Sequence, residues 1–341
     1  MNYFEPLLKL LSTYLFRQKK SVLLYDLSLK LYRWSLPRNF KHKAQTGPDF
    51  SLSDDDSFDY GKAIIWRKQK IARTRPLKEI INKQEGSVFI VGSGPSVNDI
   101  DFSVLKNKTL FGVNGSINIF NSNELTPDFY AVTDPDFFEH RFDLVEDIIR
   151  SKNPCFFSYS GISRICEYNP ELLHLGNIYL TEIINRQYSI PRLEHSQFIR
   201  HIKSDPSIIL PSSPRDDDNV VGFSKDMTKG IFCSRTILYR AIQIAYSMGY
   251  RRIYLLGMDL GYQDKNPRFY EEGGSSRPTK LEKDYVPYIL PSFEVAAGLM
   301  KKHEIEIYNV SDKSRLPASI IPRISFFDAI KENTPTDYFI K

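Results

Sequence analysis

The feature that most constrains the fold of this chain is a series of short apolar runs, each followed by a polar or glycine-bearing turn. The runs cover residues 87–91, 109–113, 129–132, 155–158, 252–256 and 305–308. Such runs are typical of strands that are buried on both faces of a parallel sheet. Helix-like segments lie between several of them, most clearly at residues 236–248 and 292–303. This alternation predicts an α/β fold with a mostly parallel sheet and helices on both faces.

Composition excludes several other classes of protein. Apolar residues make up 41% of the 341 residues and charged residues 26%, which is ordinary for a globular protein and excludes an acidic disordered chain. No run of about 18 uncharged apolar residues occurs, so a membrane-spanning helix is not expected. The three cysteines lack metal-type spacing, and their odd number fits reduced thiols in the cytoplasm.

Positive charge is concentrated at the beginning of the chain, where residues 1–43 hold nine Lys or Arg and two acidic residues. Leucine and aromatic residues are spaced there as on two short amphipathic helices with basic flanks. This pattern is typical of helices that lie in the interface of an anionic bilayer. The alternative is a helical pair that packs on the main domain and exposes a basic face to solvent.

These patterns divide the chain into three segments. Residues 1–50 are predicted as the basic helical segment, and residues 51–85 as a linker with a packing helix, because they begin with an acidic, polar run. Residues 86–330 are predicted to form the main domain. Loops near residues 204–230 and 262–290 are expected to act as lids, since long loops in compact domains are usually functional.

Ligands of an open parallel sheet bind beyond the carboxyl ends of its strands. The sequence Gly-Ser-Gly-Pro-Ser at residues 92–96 could bring its backbone close to a ligand, because two of its residues lack a Cβ. It matches neither the dinucleotide fingerprint nor the Walker A loop. The alternative is a tight strand-to-helix turn in which Ser96 or Asn98 is the cap. Asn114 and Asp134 could contact a base or ribose, or serve as turn residues.

Ser234, Arg235 and Thr236 open the clearest helix. The start of a helix offers free N–H groups and a favourable dipole, so this segment could hold a phosphate, or its hydroxyls could simply cap the helix. No histidine or cysteine motif suggests a metal site or a nucleophile. We therefore expect no metal and no cofactor.

Several of these motifs, in this order, resemble two related enzyme families. The turn at residues 92–96, Asn114, Asp134 and the stretch 248–259 resemble the bacterial CMP-sialic acid-dependent sialyltransferases. A closer similarity is to lipopolysaccharide core-biosynthesis proteins of the WaaZ type. It is carried by residues 113–116, 132–134, 221–226, 241–247, 268–270, 307–309 and 314–316. The resemblance, from about residue 86 to 327, implies a Rossmann-like nucleotide domain with a lid and a CMP-sugar donor.

The resemblance also implies roles for individual residues. The residues that would bind the donor are Gly92, Ser93, Gly94, Pro95, Ser96, Asn114, Gly115, Asp134, Ser234, Arg235 and Thr236. Tyr270 matches a lid tyrosine that donates a hydrogen bond to the leaving phosphate. The sialyltransferases place a histidine base before the helix that corresponds to residues 292–303, and this chain lacks it. Asp259, Glu282 or Asp284 would then replace the histidine.

The function implied is transfer of Kdo, or a related 2-keto-3-deoxy sugar acid, from its CMP donor to a lipopolysaccharide core acceptor. Departure of CMP leaves an oxocarbenium-like transition state, and a carboxylate would take the proton of the acceptor hydroxyl. The expected partners are the donor, a lipid-anchored oligosaccharide and the inner face of the inner membrane, and nucleic acid is not among them. Alternatives are a CMP-sialic acid sialyltransferase acting on lipooligosaccharide, a pterin-type pyrophosphokinase and a non-catalytic glycolipid-binding protein.

Substitution of Tyr270 by Phe should lower turnover more than it lowers donor affinity. A phenol that donates to the departing phosphate strengthens its hydrogen bond as charge develops on that group. Steady-state kinetics with varied donor concentration measure both quantities. A kcat equal to that of the unmodified enzyme would remove Tyr270 from the leaving-group role.

Overall fold

The computed structural model describes residues 4–18, 22–54, 61–212, 220–261 and 281–332. Its strands are β1 (Phe50–Asp54), β2 (Lys62–Trp66), β3 (Gln69–Arg73), β4 (Ser87–Val91), β5 (Leu110–Val113), β6 (Phe129–Val132), β7 (Pro154–Phe157), β8 (Asn177–Leu180), β9 (Ile208–Ile209), β10 (Phe223–Ser224), β11 (Arg252–Leu256) and β12 (Glu306–Asn309). Its helices are α1 (Phe4–Gln18), α2 (Val22–Ser35), α3 (Ile117–Ser122), α4 (Pro135–His140), α5 (Phe142–Arg150), α6 (Tyr159–Tyr168), α7 (His195–Ile202), α8 (Ile237–Met248), α9 (Leu281–Asp284), α10 (Leu290–Lys301) and α11 (Phe326–Glu332).

Seven strands form one sheet in the order β12-β11-β4-β5-β6-β7-β8. The pairs β12–β11, β11–β4, β4–β5, β5–β6 and β7–β8 are parallel. From β4 the chain proceeds outward to β8 and later returns to place β11 on the other side of β4. The strand order therefore reverses between β4 and β11, which is where α/β sheets bind ligands. The predicted α/β fold with a parallel sheet is confirmed.

The predicted strands agree closely with those observed. The runs at residues 87–91, 129–132 and 252–256 coincide with β4, β6 and β11, because apolar side chains cover both faces of these buried strands. The two clearest predicted helices correspond to α8 and α10. The sequence missed β8, which is short and begins with an exposed asparagine.

The chain forms two compact units, each with its own packing. The first comprises Met1–Glu79, Val132–Ser204 and Thr228–Gly230, and the second comprises Ile80–Ala131, Asp205–Met227 and Ile231–Lys341.

In the first unit, α1 and α2 pack against each other, in agreement with the two predicted N-terminal helices. Phe16 is 1% exposed, and its ring centroid lies 5.4 Å from that of Tyr25 and 6.3 Å from that of Trp66. Arg17 Nη2 donates to the buried Asp49 Oδ1 over 2.7 Å, and Arg17 Nε donates to Asp49 Oδ2 over 2.9 Å. This paired and buried carboxylate attaches α1 to the turn before β1.

The strands β1, β2 and β3 form a three-stranded antiparallel sheet in that order, where the sequence predicted a linker. In β1 the side chains of Phe50 and Leu52 are buried, whereas those of Ser51 and Ser53 are partly exposed. That alternation with a period of two is the signature of a half-buried strand, hidden here by serine and aspartate. The predicted packing helix is also absent from the described residues between 61 and 85, where the one helical element is a short 3-10 turn at Leu77–Glu79.

In the second unit, aromatic side chains of three adjacent strands stack across the sheet. The ring centroids of Phe89 on β4 and Tyr254 on β11 are 4.8 Å apart, and those of Tyr254 and Tyr308 on β12 are 5.6 Å apart. Stacked aromatic pairs add about 0.5–1.5 kcal/mol beyond their area burial. The three strands that carry the edge described below are therefore firmly held to one another.

A buried amide on α8 fixes two neighbouring segments of the second unit. Gln243 Oε1 accepts the N–H of Ser224 over 3.0 Å and that of Phe232 over 2.9 Å. Gln243 Nε2 donates to the Phe232 carbonyl oxygen over 3.0 Å. Gln243 is 0% exposed, so water does not compete for these hydrogen bonds. One side chain therefore holds the segment that leads into α8.

The turns that follow β4 and β11 contact each other through their backbones. Gly92 N–H donates to the Leu256 carbonyl over 2.9 Å, and Gly94 N–H donates to the Gly257 carbonyl over 3.1 Å. A Cβ on Gly94 would lie 2.4 Å from Asp259 Oδ2 and 2.6 Å from the Gly257 carbonyl oxygen. Both distances are too short for any side chain, so this contact requires glycine.

Substitution of Gly94 by Ala should destabilise the protein by about 1–3 kcal/mol, because the new methyl group meets a backbone oxygen that cannot move freely. Gly298 on α10 is the matched control, since a Cβ there meets no atom within 4 Å. Gly298→Ala should stabilise the protein by up to about 1 kcal/mol through helix propensity. The midpoint of urea denaturation measures both effects. Equal midpoints for the two variants would contradict the close contact.

Candidate functional site

Asp259 follows β11 and holds the turn after β4. Its Oδ2 accepts the N–H of Ser96 over 2.9 Å. Its Oδ1 is buried and has no hydrogen-bond partner among the described residues. Leaving a buried acceptor without a partner costs about 1–3 kcal/mol, a cost that a bound donor group removes. Asp259 is thus anchored by one carboxylate oxygen and can offer the other to a ligand.

Polar residues after β12 support this arrangement. Ser311 Oγ accepts the N–H of Met258 over 3.0 Å and lies 2.8 Å from Ser96 Oγ. Asn309 Oδ1 accepts the Ser311 N–H over 3.0 Å, and Asn309 Nδ2 donates to the Met258 carbonyl over 3.4 Å. Two buried side chains therefore join the ends of β4, β11 and β12.

Asn114 follows β5, on the opposite side of β4 from β11. Its φ of 47° lies in the left-handed region, which asparagine tolerates better than most residues. Its carbonyl oxygen accepts a hydrogen bond from the Tyr130 hydroxyl over 2.6 Å, and Gly115 beside it is buried. Asn114 Oδ1 is buried without a partner in the described part of the chain. Asn114 and Asp259 thus present two unsatisfied acceptors at one edge of the sheet, on either side of β4.

The turn that begins at Gly92 is a tight connection between a strand and a 3-10 turn. Pro95 begins the 3-10 turn, and Gly94 occupies the N-cap position that the sequence assigned to Ser96 or Asn98. Ser93 and Pro95 are half-buried. Packing against the turn after β11 accounts for the glycines, and the donor-binding roles of these residues stay predictions.

Neither hydroxyl at the start of α8 caps the helix. Thr236 is the N-cap residue by its backbone, but its side chain makes no capping hydrogen bond. Ser234 is 1% exposed, and its Oγ donates to the Thr236 carbonyl over 3.5 Å. The first N–H groups of this twelve-residue helix have no side-chain cap, so an anion can bind there.

Arg235 stands beside this helix start with strained backbone geometry. Its φ of 64° is unfavourable for an arginine by about 1–2 kcal/mol. Its exposed guanidinium lies 5.3 Å from the ring centroid of Tyr288. Strain of this kind is concentrated at functional sites, where the surrounding structure maintains it.

A second arginine adds positive charge to the same segment. Arg240 Nη2 lies 2.6 Å from Cys233 Sγ. Burial raises the pKa of the Cys233 thiol, but Arg240 and Arg235 outweigh burial and lower that pKa below its ordinary value. The surroundings of the α8 start therefore favour negative charge.

Asp134 belongs to the first unit and acts there as a capping residue. It is the N-cap of α4, and its Oδ1 accepts the Asp136 N–H over 3.1 Å. Its side chain is exposed. These contacts fit the turn-residue interpretation, and its contact with a donor stays a prediction.

The candidates for catalysis differ in what surrounds them. Tyr270 lies outside the described residues. Glu282 is exposed and pairs with Arg315, whereas Asp284 is half-buried at the end of α9. Of the three carboxylates, Asp259 alone has an oxygen that is buried and unpartnered among the described residues.

Sequence reasoning missed Ser311, Arg315 and Arg240. Ser311 lies two residues beyond the end of β12, so the strand-end rule that selected Asn114 could have found it. Arg315 lies within the motif at residues 314–316 that carries the family resemblance, but that motif gave it no chemical role, and no sequence signal marks Arg240. Within the described ranges, no group of three or more His, Cys, Asp or Glu residues could hold a metal ion. No helix in the same ranges is long and apolar enough to cross a membrane.

Comparison with known proteins gives one family. The family model described as "3-deoxy-D-manno-octulosonic acid transferase WaaZ" matches residues 71–327. The chain is 32% identical over 267 residues to a probable 3-deoxy-manno-octulosonic acid transferase of Escherichia coli (strain K12), covering 75% of this chain and 88% of the relative. It is 31% identical over 263 residues to a protein of the same description from Salmonella typhimurium, covering 73% and 90% respectively.

Two solved structures with a similar fold are both distant in sequence. The CstII sialyltransferase of Campylobacter jejuni, in complex with CMP-3FNeuAc, is 17% identical with a TM-score of 0.38, covering 70% of this chain and 85% of that one. The MAf glycosyltransferase of Magnetospirillum magneticum is 15% identical with a TM-score of 0.37, covering 87% and 41%. Similarities this low carry no argument about the site.

Proposed function

We propose that this chain, which belongs to the WaaZ family of 3-deoxy-D-manno-octulosonic acid (Kdo) transferases, moves one Kdo residue from CMP-Kdo to a lipopolysaccharide core acceptor without a metal ion. The observation that carries the proposal is the edge beside β4, where Asn114 Oδ1 and Asp259 Oδ1 are buried without partners among the described residues. The donor and acceptor substrates together supply the hydrogen-bond donors and the anion that this edge lacks. Their hydroxyl and amino groups satisfy the two oxygens, and the phosphate fits the uncapped start of α8.

In the proposed reaction, the bond between the anomeric carbon and the phosphate oxygen breaks, and its electron pair leaves with CMP. The acceptor hydroxyl oxygen forms the new bond to that carbon, and its proton passes to a carboxylate. We assign Asp259 as this base, because the Ser96 N–H holds Oδ2 while Oδ1 stays available. Arg235 and the N–H groups of α8 stabilise the charge that develops on the departing phosphate.

The Asn114 side chain gives the direct test of this function. Asn114→Gly keeps the left-handed φ but removes the amide oxygen, so it should lower the affinity for CMP and kcat/KM for the donor by about tenfold or more. Calorimetry with CMP in the presence of EDTA, and transfer from CMP-Kdo generated in situ to purified core, measure the two effects.

Asn82→Gly is the matched control, because Asn82 is an exposed asparagine with a similar φ of 51°. It should leave the CMP affinity and the kcat/KM for the donor within about twofold of those of the unmodified enzyme.

Binding of ATP only with Mg²⁺, and none of CMP, would overturn the proposal in favour of a pyrophosphokinase. Faster transfer from CMP-sialic acid than from CMP-Kdo would assign the other sugar acid as donor. Binding of CMP without transfer would favour a non-catalytic protein.

We further propose that the outer face of α1 and α2 binds an anionic bilayer, which would bring the enzyme to a lipid-anchored acceptor. Apolar side chains on this face are between 41% and 77% exposed: Leu7, Leu10, Leu11, Tyr14, Leu23, Leu27 and Trp34. Those of α1 recur at the i, i+3, i+4 and i+7 positions of one helical face. Lys9, Lys30 and Arg33 are exposed on the same two helices, so their charge complements an anionic surface.

The double substitution Leu10→Glu with Leu23→Glu should reduce partitioning onto vesicles of phosphatidylcholine and phosphatidylglycerol by at least about tenfold. It replaces two of the most exposed apolar side chains with charges that anionic lipid repels. Co-sedimentation measures the effect, and vesicles of phosphatidylcholine alone should bind the unmodified protein weakly.

The matched control is Val104→Glu with Leu175→Glu, two exposed apolar positions outside the helical pair. It should sediment as the unmodified protein does. Unchanged sedimentation of the first variant would contradict the proposal, as would a dimer in size-exclusion chromatography that the first variant abolishes, because the face would then bind a second copy.

A further inference from the structure

Arg315 lies beside the candidate site, although no role was predicted for it from the sequence. Its backbone N–H donates to the Asp259 carbonyl oxygen over 2.7 Å. This hydrogen bond attaches the segment after β12 to the turn after β11. The Arg315 side chain therefore starts next to the residue that we assign as the base.

The guanidinium of Arg315 is held in a fixed orientation. It stacks on the ring of Tyr285, with its central carbon 3.9 Å from the ring centroid. The Tyr285 hydroxyl donates to the Arg315 carbonyl oxygen over 3.0 Å, so ring and backbone move together. A guanidinium held against a ring in this way loses little conformational entropy when a planar anion binds it.

A carboxylate already occupies this guanidinium. Arg315 Nη1 donates to Glu282 Oε2, and Arg315 Nη2 donates to Glu282 Oε1 over 3.1 Å. This is the bidentate geometry by which arginine recognises carboxylates. The Glu282 side chain is 59% exposed and that of Arg315 is 31% exposed.

Arg315 can therefore exchange the Glu282 carboxylate for that of a ligand. Solvent-exposed ion pairs contribute only about 0–1 kcal/mol, so the loss of Glu282 costs little. Glu282 lies in the first described turn of a continuous helical segment, residues 281–301, and its exposed side chain can turn away without disturbing a core. Arg315 in contrast is fixed by Asp259 and Tyr285.

We propose that Arg315 binds the carboxylate of the sugar-acid donor, and that Glu282 occupies the guanidinium until the donor displaces it. This inference rests on the proposed function. The anomeric carbon of such a donor carries both the carboxylate and the leaving phosphate, so Arg315 and the start of α8 hold two different anions. Asp259, whose backbone touches Arg315, then lies near the carbon that reacts. Donors of neutral sugars lack the group that Arg315 recognises.

The test compares a ligand that has the sugar carboxylate with one that lacks it. Arg315→Gln should raise the KM for CMP-Kdo by about tenfold or more and change the Kd of CMP by less than about twofold. Glu282→Gln should lower the KM for CMP-Kdo by several-fold, because the competing carboxylate is gone, and leave CMP binding unchanged. Glu146→Gln is the control, since Glu146 forms a similar exposed pair with Arg150 on α5.

Three outcomes would overturn the inference. In Arg315→Gln, a parallel loss of CMP and CMP-Kdo affinity would make Arg315 a phosphate ligand or a structural residue. An unchanged KM for CMP-Kdo in that variant would remove Arg315 from the donor site, and an unchanged KM in Glu282→Gln would mean that Glu282 does not compete. Failure of the unmodified enzyme to transfer Kdo would instead contradict the proposed function, so the two failures are distinguishable. Should Arg315→Gln not fold, Glu282→Gln still decides the matter.

Discussion

The contact between the backbones of the turns after β4 and β11 is the constraint on which the rest of the candidate site depends. It lies where the strand order reverses, and it is close enough that Gly94 N–H reaches the Gly257 carbonyl. That closeness brings Asp259 Oδ2 to the Ser96 N–H, which leaves Oδ1 buried. A side chain at residue 94 would separate the two turns and disrupt the position of the carboxylate.

Features that destabilise the fold are concentrated at this edge of the sheet, whereas the stacking contacts that stabilise it lie within the strands. Two unpartnered acceptors, the left-handed Arg235 and the uncapped start of α8 all cost free energy in the described structure. The stacked rings of Phe89, Tyr254 and Tyr308 on the three strands that end at this edge offset that cost. Natural sequences depart from local rules mainly where they bind or react, so this distribution favours a ligand site.

The sequence predicted the parallel sheet because its strands are apolar on both faces. Such runs can be recognised from the local sequence alone, without knowing which strands pair. It failed at β1, where buried Phe50 and Leu52 alternate with serine in a stretch that is polar overall. For the site, the sequence selected Asn114 and Asp259, and both follow strands that flank β4, while their ligand-binding roles stay predictions. It could not show which oxygen of Asp259 is occupied, nor that Arg315 adjoins it, because both depend on contacts made only after the strands assemble.

The buried amide of Gln243 has a consequence for how related chains can differ. Its two ends bind backbone groups at Ser224 and Phe232, and backbone groups are present whatever the side chains are. The seven residues between those two positions are therefore constrained in number, whatever the side chains at Ser224 and Phe232 are. An alignment of homologues that retain this glutamine should show no gaps there, whereas loss of the glutamine should coincide with altered spacing.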